Sequence, residues 1–225
     1  VVCRRQRQMC IRDRSSSESY EWFLNKHYAK RIPNIVHCLG LYNTDKVLQG
    51  VISFGLPASR SLVVGSFKGK YQDIFLELNR LCINEDLEKN ILSFFVSQSI
   101  NLLEKPKVIV SYADTSQGHN GYIYQATNWL YTGLSDTHKE WRMYDSNLHS
   151  KNVCKQFTLE ERRNNPDKFY MVDRPRKHRY FYLLGTRKQR QEMKDSLSYA
   201  IKSYPKGDNK RYDSSYSPSI QGILF

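Results

Sequence analysis

Apolar and polar positions along this chain fall into short runs of two kinds, and they predict a series of strands and helices. Tyr20, Phe23, Leu24 and His27 recur at helical spacing over 18–28, with Ser17 placed as a cap and Pro33 as a stop. Apolar runs at 35–41 and 47–54 flank Asn43-Thr44-Asp45, a hairpin signal. Gly50, Gly55 and Pro57 then open a polar loop that reaches Lys70. Residues 75–83 read as a strand. Asn90 is placed to cap a helix over 91–104, with Leu92, Phe95, Val96 and Leu103 on one apolar stripe. After Pro106, residues 107–112 read as a buried strand, 118–128 as a helix and 129–134 as a strand. A further strand is expected at 141–144, no clear period over 146–173, a strand at 179–184 and a basic amphipathic helix at 187–199. The stretch from Lys206, rich in Ser, Tyr, Asp and Gly, is expected to be loosely ordered.

This order of elements predicts one α/β domain over 15–205, with a mixed central sheet flanked by helices. Two strand–helix units stand side by side, at 75–104 and 107–128. Together they predict a cleft at the strand ends, where such sheets bind ligands.

Charge and cysteine content sharpen the picture. The 225 residues carry a formal net charge of +13. Arg4 to Arg14 reads as one frame of a sequencing-library adapter, so residues 1–14 are expected to be a non-native scar. The alternative is a basic nucleic-acid-binding arm. The segment holds five Arg against one Asp, and setting it aside lowers the charge to +9. That balance still favours a polyanionic partner. Cys38, Cys82 and Cys154 then remain, with no Cys-x-x-Cys pair, as expected of a reduced, cytoplasmic chain. No apolar run approaches the ~20 residues needed to cross a bilayer.

Several side chains could carry chemistry. Arg80 is placed on the same strand face as Leu78 and Cys82, where a guanidinium needs an anion, a ligand or an ion pair with Asp114. Tyr124 and Asn128 are four apart on one helical face. The loop Glu85-Asp86-Leu87-Glu88-Lys89-Asn90 has no glycine and three acidic residues, which disfavours phosphate there. Cationic groups cluster at Lys26, Lys30 and Arg31, at Arg174, Arg176 and Lys177, and along the helix carrying Arg187, Lys188, Arg190 and Lys194. Each run alone is a solvated face; together they suggest a phosphate footprint. Trp22, Trp129 and Trp141 are candidates for stacking on an extruded base, with core packing the alternative.

Four segments carry a family resemblance: His-Tyr-x-x-Arg-x-Pro at 27–33, Glu-Leu-Asn-Arg-Leu at 77–81, Asn-x-x-Ser at 90–93, and Tyr-Ala-Asp at 112–114 followed by Gly-His-x-Gly-x-x-Tyr-Gln-Ala at 118–126. In these the chain resembles the Mom family of phage DNA-adenine modification proteins, and more broadly the GNAT acetyltransferases. The resemblance implies a GNAT-like fold and an enzyme that modifies the exocyclic amine of adenine in double-stranded DNA, protecting phage DNA from restriction in the host cytoplasm. It implies acetyl-CoA or a related acyl-CoA, held by Arg80, Cys82, Asn90, Ser93 and Asn128. Tyr124, Arg80 and Asp114 are the implied catalytic residues. It further implies iron bound by His27, Tyr28 and Asp114, with His119 a competing ligand. The family's carbamoylmethyl product has a terminal amide that acetyl transfer alone does not supply. An ordinary GNAT N-acetyltransferase acting on a protein or small amine is the alternative. Oligomeric state stays open, a homodimer among the options.

Overall fold

The computed structural model describes residues 9–146, 148 and 150–208. The expected hairpin is β2 (His37–Tyr42) and β3 (Leu48–Gly55). Asn43 closes its turn by accepting the Asp45 and Val47 N–H groups on its side-chain oxygen. The expected strands follow as β4 (Phe75–Ile83), β5 (Lys107–Asp114), β6 (Leu130–Leu134) and β9 (Lys177–Leu184). With an edge strand β1 (Cys10–Asp13) they form a seven-stranded sheet in the order β1-β2-β3-β4-β5-β9-β6. Its neighbours are antiparallel except β4 and β5, so the sheet is mixed, as expected. Helix α2 (Ile91–Asn101) packs Phe95, Val96 and Ile100 on one face of the sheet, among Leu76, Leu78 and Ile109. On the other face Leu62 of α1 (Arg60–Ser66) and Met193 of α6 (Arg187–Ser196) meet Phe75, Val108 and Phe181. Among the described residues no helix is long and apolar enough to cross a membrane.

The structure departs from the sequence expectations in six places. Residues 10–13 do not stand apart from the fold: they pair with β2 from Cys10↔Tyr42 to Asp13↔Leu39, and the Arg14 guanidinium donates to the Tyr42 hydroxyl. The helix expected over 18–28 breaks into a 3₁₀ turn at Ser17–Ser19 and a π-helical turn at Trp22–Lys26, because adjacent Trp22 and Phe23 are both buried while Leu24 is exposed. The polar stretch before Lys70 holds α1, capped by Ser59, whose hydroxyl accepts the Leu62 N–H. The helix expected over 118–128 is α3, only Tyr122–Ala126, since Gly118 and Gly121 adopt positive φ before it.

The fifth departure is the stretch without a period. It forms α4 (Ser150–Gln156), α5 (Leu159–Asn164) and β8 (Phe169–Arg174), and β8 pairs with β7 (His138–Met143), the strand expected at 141–144, as a separate two-stranded ribbon. Phe157 meets Phe169 edge-on, and the Arg162 guanidinium covers Trp141. The period is hidden because this small unit buries single side chains, not whole faces. The last concerns the end of the chain. Tyr122 donates to the Gly207 carbonyl and Asn120 to that of Asp208, so the chain is fastened there. The remainder of the stretch expected to be loosely ordered, 209–225, lies outside the described residues.

Candidate active site

The parallel pair is where the sheet opens. β4 and β5 are paired at Phe75↔Val108, Leu76↔Ile109 and Glu77↔Val110. Beyond Glu77, β4 stays with β3 and β5 stays with β9, so the two strands part. A cleft of about 1210 Å³ lies along this seam, lined by Glu77, Arg80, Ser111, Tyr124 and Lys177 among others.

A β-bulge decides which side chains enter each side of the cleft. Ser53 pairs with Arg80 and Phe54 with Leu78, which leaves Asn79 as an extra residue in β4. One extra residue reverses the alternation of faces. Leu76, Leu78, Leu81 and Ile83 therefore all join the core under α2. Glu77, Arg80 and Cys82 face the opposite way, Cys82 packing beside Trp22 and Arg80 reaching the Arg31 carbonyl. The expectation that Arg80 shares a face with Leu78 is corrected by this bulge.

On the α2 side, Tyr124 is buried against Trp129 and Tyr180, with ring centroids 5.0 Å away in each case. Its hydroxyl lies 2.7 Å from that of Ser111. Burial, with smaller contributions from Tyr28 and Glu77, raises its phenol above the ordinary value against the opposing pull of Ser111, so it stays protonated at neutral pH. Asn90 and Ser93 line the same cleft at the start of α2. Asn90 is left-handed (φ 72°) and its side chain does not cap the helix; Ser93 instead donates to the Asn90 carbonyl. Asn128 is corrected out of the site. It is exposed, beyond the end of α3, and absent from the cleft wall, because α3 stops two residues before it.

On the opposite side, Arg80 is buried and holds the backbone of the segment after His27. Its Nε and Nη2 donate to the Arg31 carbonyl and its Nη1 to that of Asn79. It makes no ion pair with Asp114, which instead binds Lys177 at 2.7 Å. Cys82 is a core thiol, raised to about 12 by burial and therefore neutral. Glu77 lies in one of the four motifs, yet sequence reasoning gives it no role. Burial raises its carboxyl, opposed by a hydrogen bond from the Ala58 backbone and by Arg80, Lys177 and Arg31. A polar residue among apolar strand positions, at the last paired residue before the seam, is the signal that could have found it.

His27, Tyr28 and Asp114 do come together. His27 and Tyr28 stack at 4.4 Å, His119 meets Tyr28 edge-on at 5.6 Å, and the Asp114 charge acts on the Tyr28 phenol. Their donor atoms do not fit iron. His27 Nδ1 accepts the Ala29 N–H, which assigns the ring proton to Nε2 and leaves neither nitrogen free. Burial first, then Arg80, His119 and Lys177, push that imidazole down to about 3, so the ring is neutral. Burial and Asp114 raise Tyr28 to about 12, so without a metal ion beside it the side chain is a phenol. One Asp114 oxygen accepts from the Ser116 N–H and hydroxyl and the other meets Lys177. Burial alone would raise this carboxyl; Lys177 and Ser116 outweigh it and hold it low. Among the described residues no group of three His, Cys, Asp or Glu is disposed to hold a metal.

The cationic candidates divide. Lys26 is buried and pairs with Glu85 at 2.6 Å, so it is corrected from phosphate ligand to neutraliser of the acidic loop. Lys177 serves Asp114, and the Arg176 guanidinium donates to the Ser135 and Leu134 carbonyls. Lys30, Arg31 and Arg174 are exposed, and Arg31, Arg174 and Lys139 line the cleft. Trp22 and Trp129 are core residues and Trp141 is covered by Arg162, so none is placed to stack on a base.

A family model described as the Mom protein family matches residues 8–206. Methylcarbamoylase mom of Escherichia phage Mu is 28% identical over 121 residues, 50% of this chain and 48% of that protein. The chain thus spans about half the length of the curated relative it matches. Among solved structures, a spermidine/spermine N-acetyltransferase SpeG from Vibrio cholerae superposes at TM-score 0.46 and 8% identity, covering 85% of this chain and 98% of the other. A GNAT superfamily phosphinothricin acetyltransferase from Sinorhizobium meliloti in complex with AcCoA gives 0.44 and 11%, covering 79% and 89%.

Proposed function

The chain belongs to the Mom protein family, and on that premise we propose that it is a phage-type DNA modification enzyme. In this reading it draws an acyl group from an acyl-CoA thioester and acts on the exocyclic amine of adenine in double-stranded DNA, shielding that DNA from restriction. The carrying observation is the seam. It opens the sheet between a protonated tyrosine on one side, Tyr124, and a carboxyl on the other, Glu77.

The chemistry follows from that opposition. A thioester carbonyl set in the seam is attacked by the amine nitrogen. The N–C bond forms, the C–S bond breaks, the amine's proton goes to Glu77, and Tyr124 gives its proton to the sulfur. This step yields the N-acyladenine, and the terminal amide of a carbamoylmethyl product requires a further step. The two groups return to their starting states through solvent. The start of α2, with Asn90 and Ser93, faces the donor's phosphates. Lys26 offsets the acidic loop beside it. Arg80 acts indirectly, by holding the Arg31 carbonyl and so the wall that carries His27 and Tyr28.

Mass spectrometry of nucleosides from cells expressing the protein tests this reading. The expected result is a mass-shifted deoxyadenosine that falls by about 10²–10⁴ in rate of formation with Glu77→Gln. That variant keeps the side-chain shape and an oxygen for the Ala58 N–H. Unmodified deoxyadenosine alongside acetylated polyamine or protein would instead establish an ordinary N-acetyltransferase.

The duplex is expected to lie on the cationic rim. Charge reversal at Arg31, Lys139 and Arg174 should weaken DNA binding. The slope of log affinity against log salt should flatten by roughly 0.9 for every phosphate that is no longer neutralised. The thermal midpoint should barely move, because exposed charges contribute little to stability. An unaltered salt slope would place the phosphates elsewhere, with the α6 cations the next surface to reverse.

A further inference from the structure

Ser111 is the first residue of β5 past the last β4–β5 pair, and it is buried. Its hydroxyl oxygen lies 2.8 Å from the Leu78 carbonyl oxygen and 2.7 Å from the Tyr124 hydroxyl oxygen. Ser111 has one proton to give. The carbonyl can only accept, so Ser111 donates to Leu78 and Tyr124 must donate to Ser111. The chain of hydrogen bonds therefore runs in one direction, from Tyr124 through Ser111 to the backbone of β4. It bridges the strands just past the point where their ladder ends.

We propose that Ser111 is a positioning residue that bridges β4 and β5 at the seam and holds the Tyr124 hydroxyl, with its proton, ready for the departing thiolate. The inference rests on the reading of Tyr124 as proton donor. When the C–S bond breaks, the Tyr124 O–H turns from Ser111 to the sulfur and an S–H bond forms. The Ser111 hydroxyl then rotates from the Leu78 carbonyl to the new phenolate and donates to it. Among the described residues, Ser111 is the hydrogen-bond partner of the Tyr124 oxygen. The same serine thus serves both states of the tyrosine.

The test is a double-mutant cycle read by free-thiol release from acetyl-CoA in the presence of DNA, with thioester affinity measured by calorimetry. Ser111→Ala should lower kcat by about a hundredfold, the scale of a misplaced reacting group, at nearly unchanged thioester affinity. Added to Tyr124→Phe, it should lower kcat no further. Ser111→Thr, which keeps the hydroxyl, should recover most of the rate. If Ser111→Ala does not fold, Ser111→Cys keeps the shape with a weak hydrogen-bonding group and should show the same dependence on Tyr124. Effects that multiply in the Tyr124→Phe background, or a wild-type rate in Ser111→Ala or Ser111→Cys, would overturn the proposal. Thiol release by the unaltered protein without any change in deoxyadenosine would overturn the adenine reading and leave the cycle to decide Ser111. No thiol release at all would overturn both.

Discussion

Tyr124→Phe is expected to lower turnover by about 10²–10⁴-fold, the contribution of a positioned proton donor. That corresponds to roughly 3–5.5 kcal/mol of transition-state stabilisation. Acyl-CoA affinity should stay close to that of the unaltered protein. The reason for the split is local. The ring carries the packing against Trp129 and Tyr180, and the substitution keeps the ring. The hydroxyl carries the proton, and only the hydroxyl is removed. Ser111 keeps its bond to the Leu78 carbonyl, so the seam keeps its shape. Turnover and thioester binding measured on the same preparation check this. An unchanged turnover would make Tyr124 a core residue and move the proton donor elsewhere.

The largest effect on stability is expected from Phe67→Ala. Phe67 is fully buried just after α1 and meets Tyr71, Phe75 and Phe181 edge-to-face at 5.6, 6.0 and 5.9 Å. Losing the ring removes transfer free energy and leaves a cavity among three rings, of which Phe75 and Phe181 also pack on each other, and this costs about 3–5 kcal/mol. The urea midpoint should fall with little change in slope. Phe67 does not line the cleft, so residual folded protein should bind acyl-CoA normally. An unaltered midpoint would mean that the neighbours collapse into the space. A lost thioester site at full stability would mean that this cluster shapes the seam.

Particular elements show what the chain makes legible. The hairpin at β2 and β3 can be read because two apolar runs and an Asn-Thr-Asp turn are local signals. Strands β4 and β5 and helix α2 can be read for the same reason: periods of two and 3.6 need only neighbours in sequence. The four motifs also lead to one region, since His27, Arg80, Asn90, Ser93, Asp114 and Tyr124 fall in or beside a single cleft. Their individual roles are harder to read. Asn79 bears no mark of being a bulge, yet it turns Arg80 and Cys82 away from Leu78 and sets which groups face each other across the seam.

By itself, the sequence determined the kind and order of the main elements, the mixed sheet, the basic balance and the family. All of these depend on spacing along the chain or on composition. The tertiary structure decided what each charged or polar group is bound to. Lys26 meets Glu85 across 59 positions, and Lys177 meets Asp114, so three groups expected to face DNA or metal are held in internal ion pairs. His27 Nδ1 accepts an N–H from two residues away, because a turn placed it there. Glu77 faces the cleft because the ladder stops beside it. A hydrogen bond or ion pair forms wherever the fold brings two groups within about 3 Å, and no periodicity in the chain encodes that meeting.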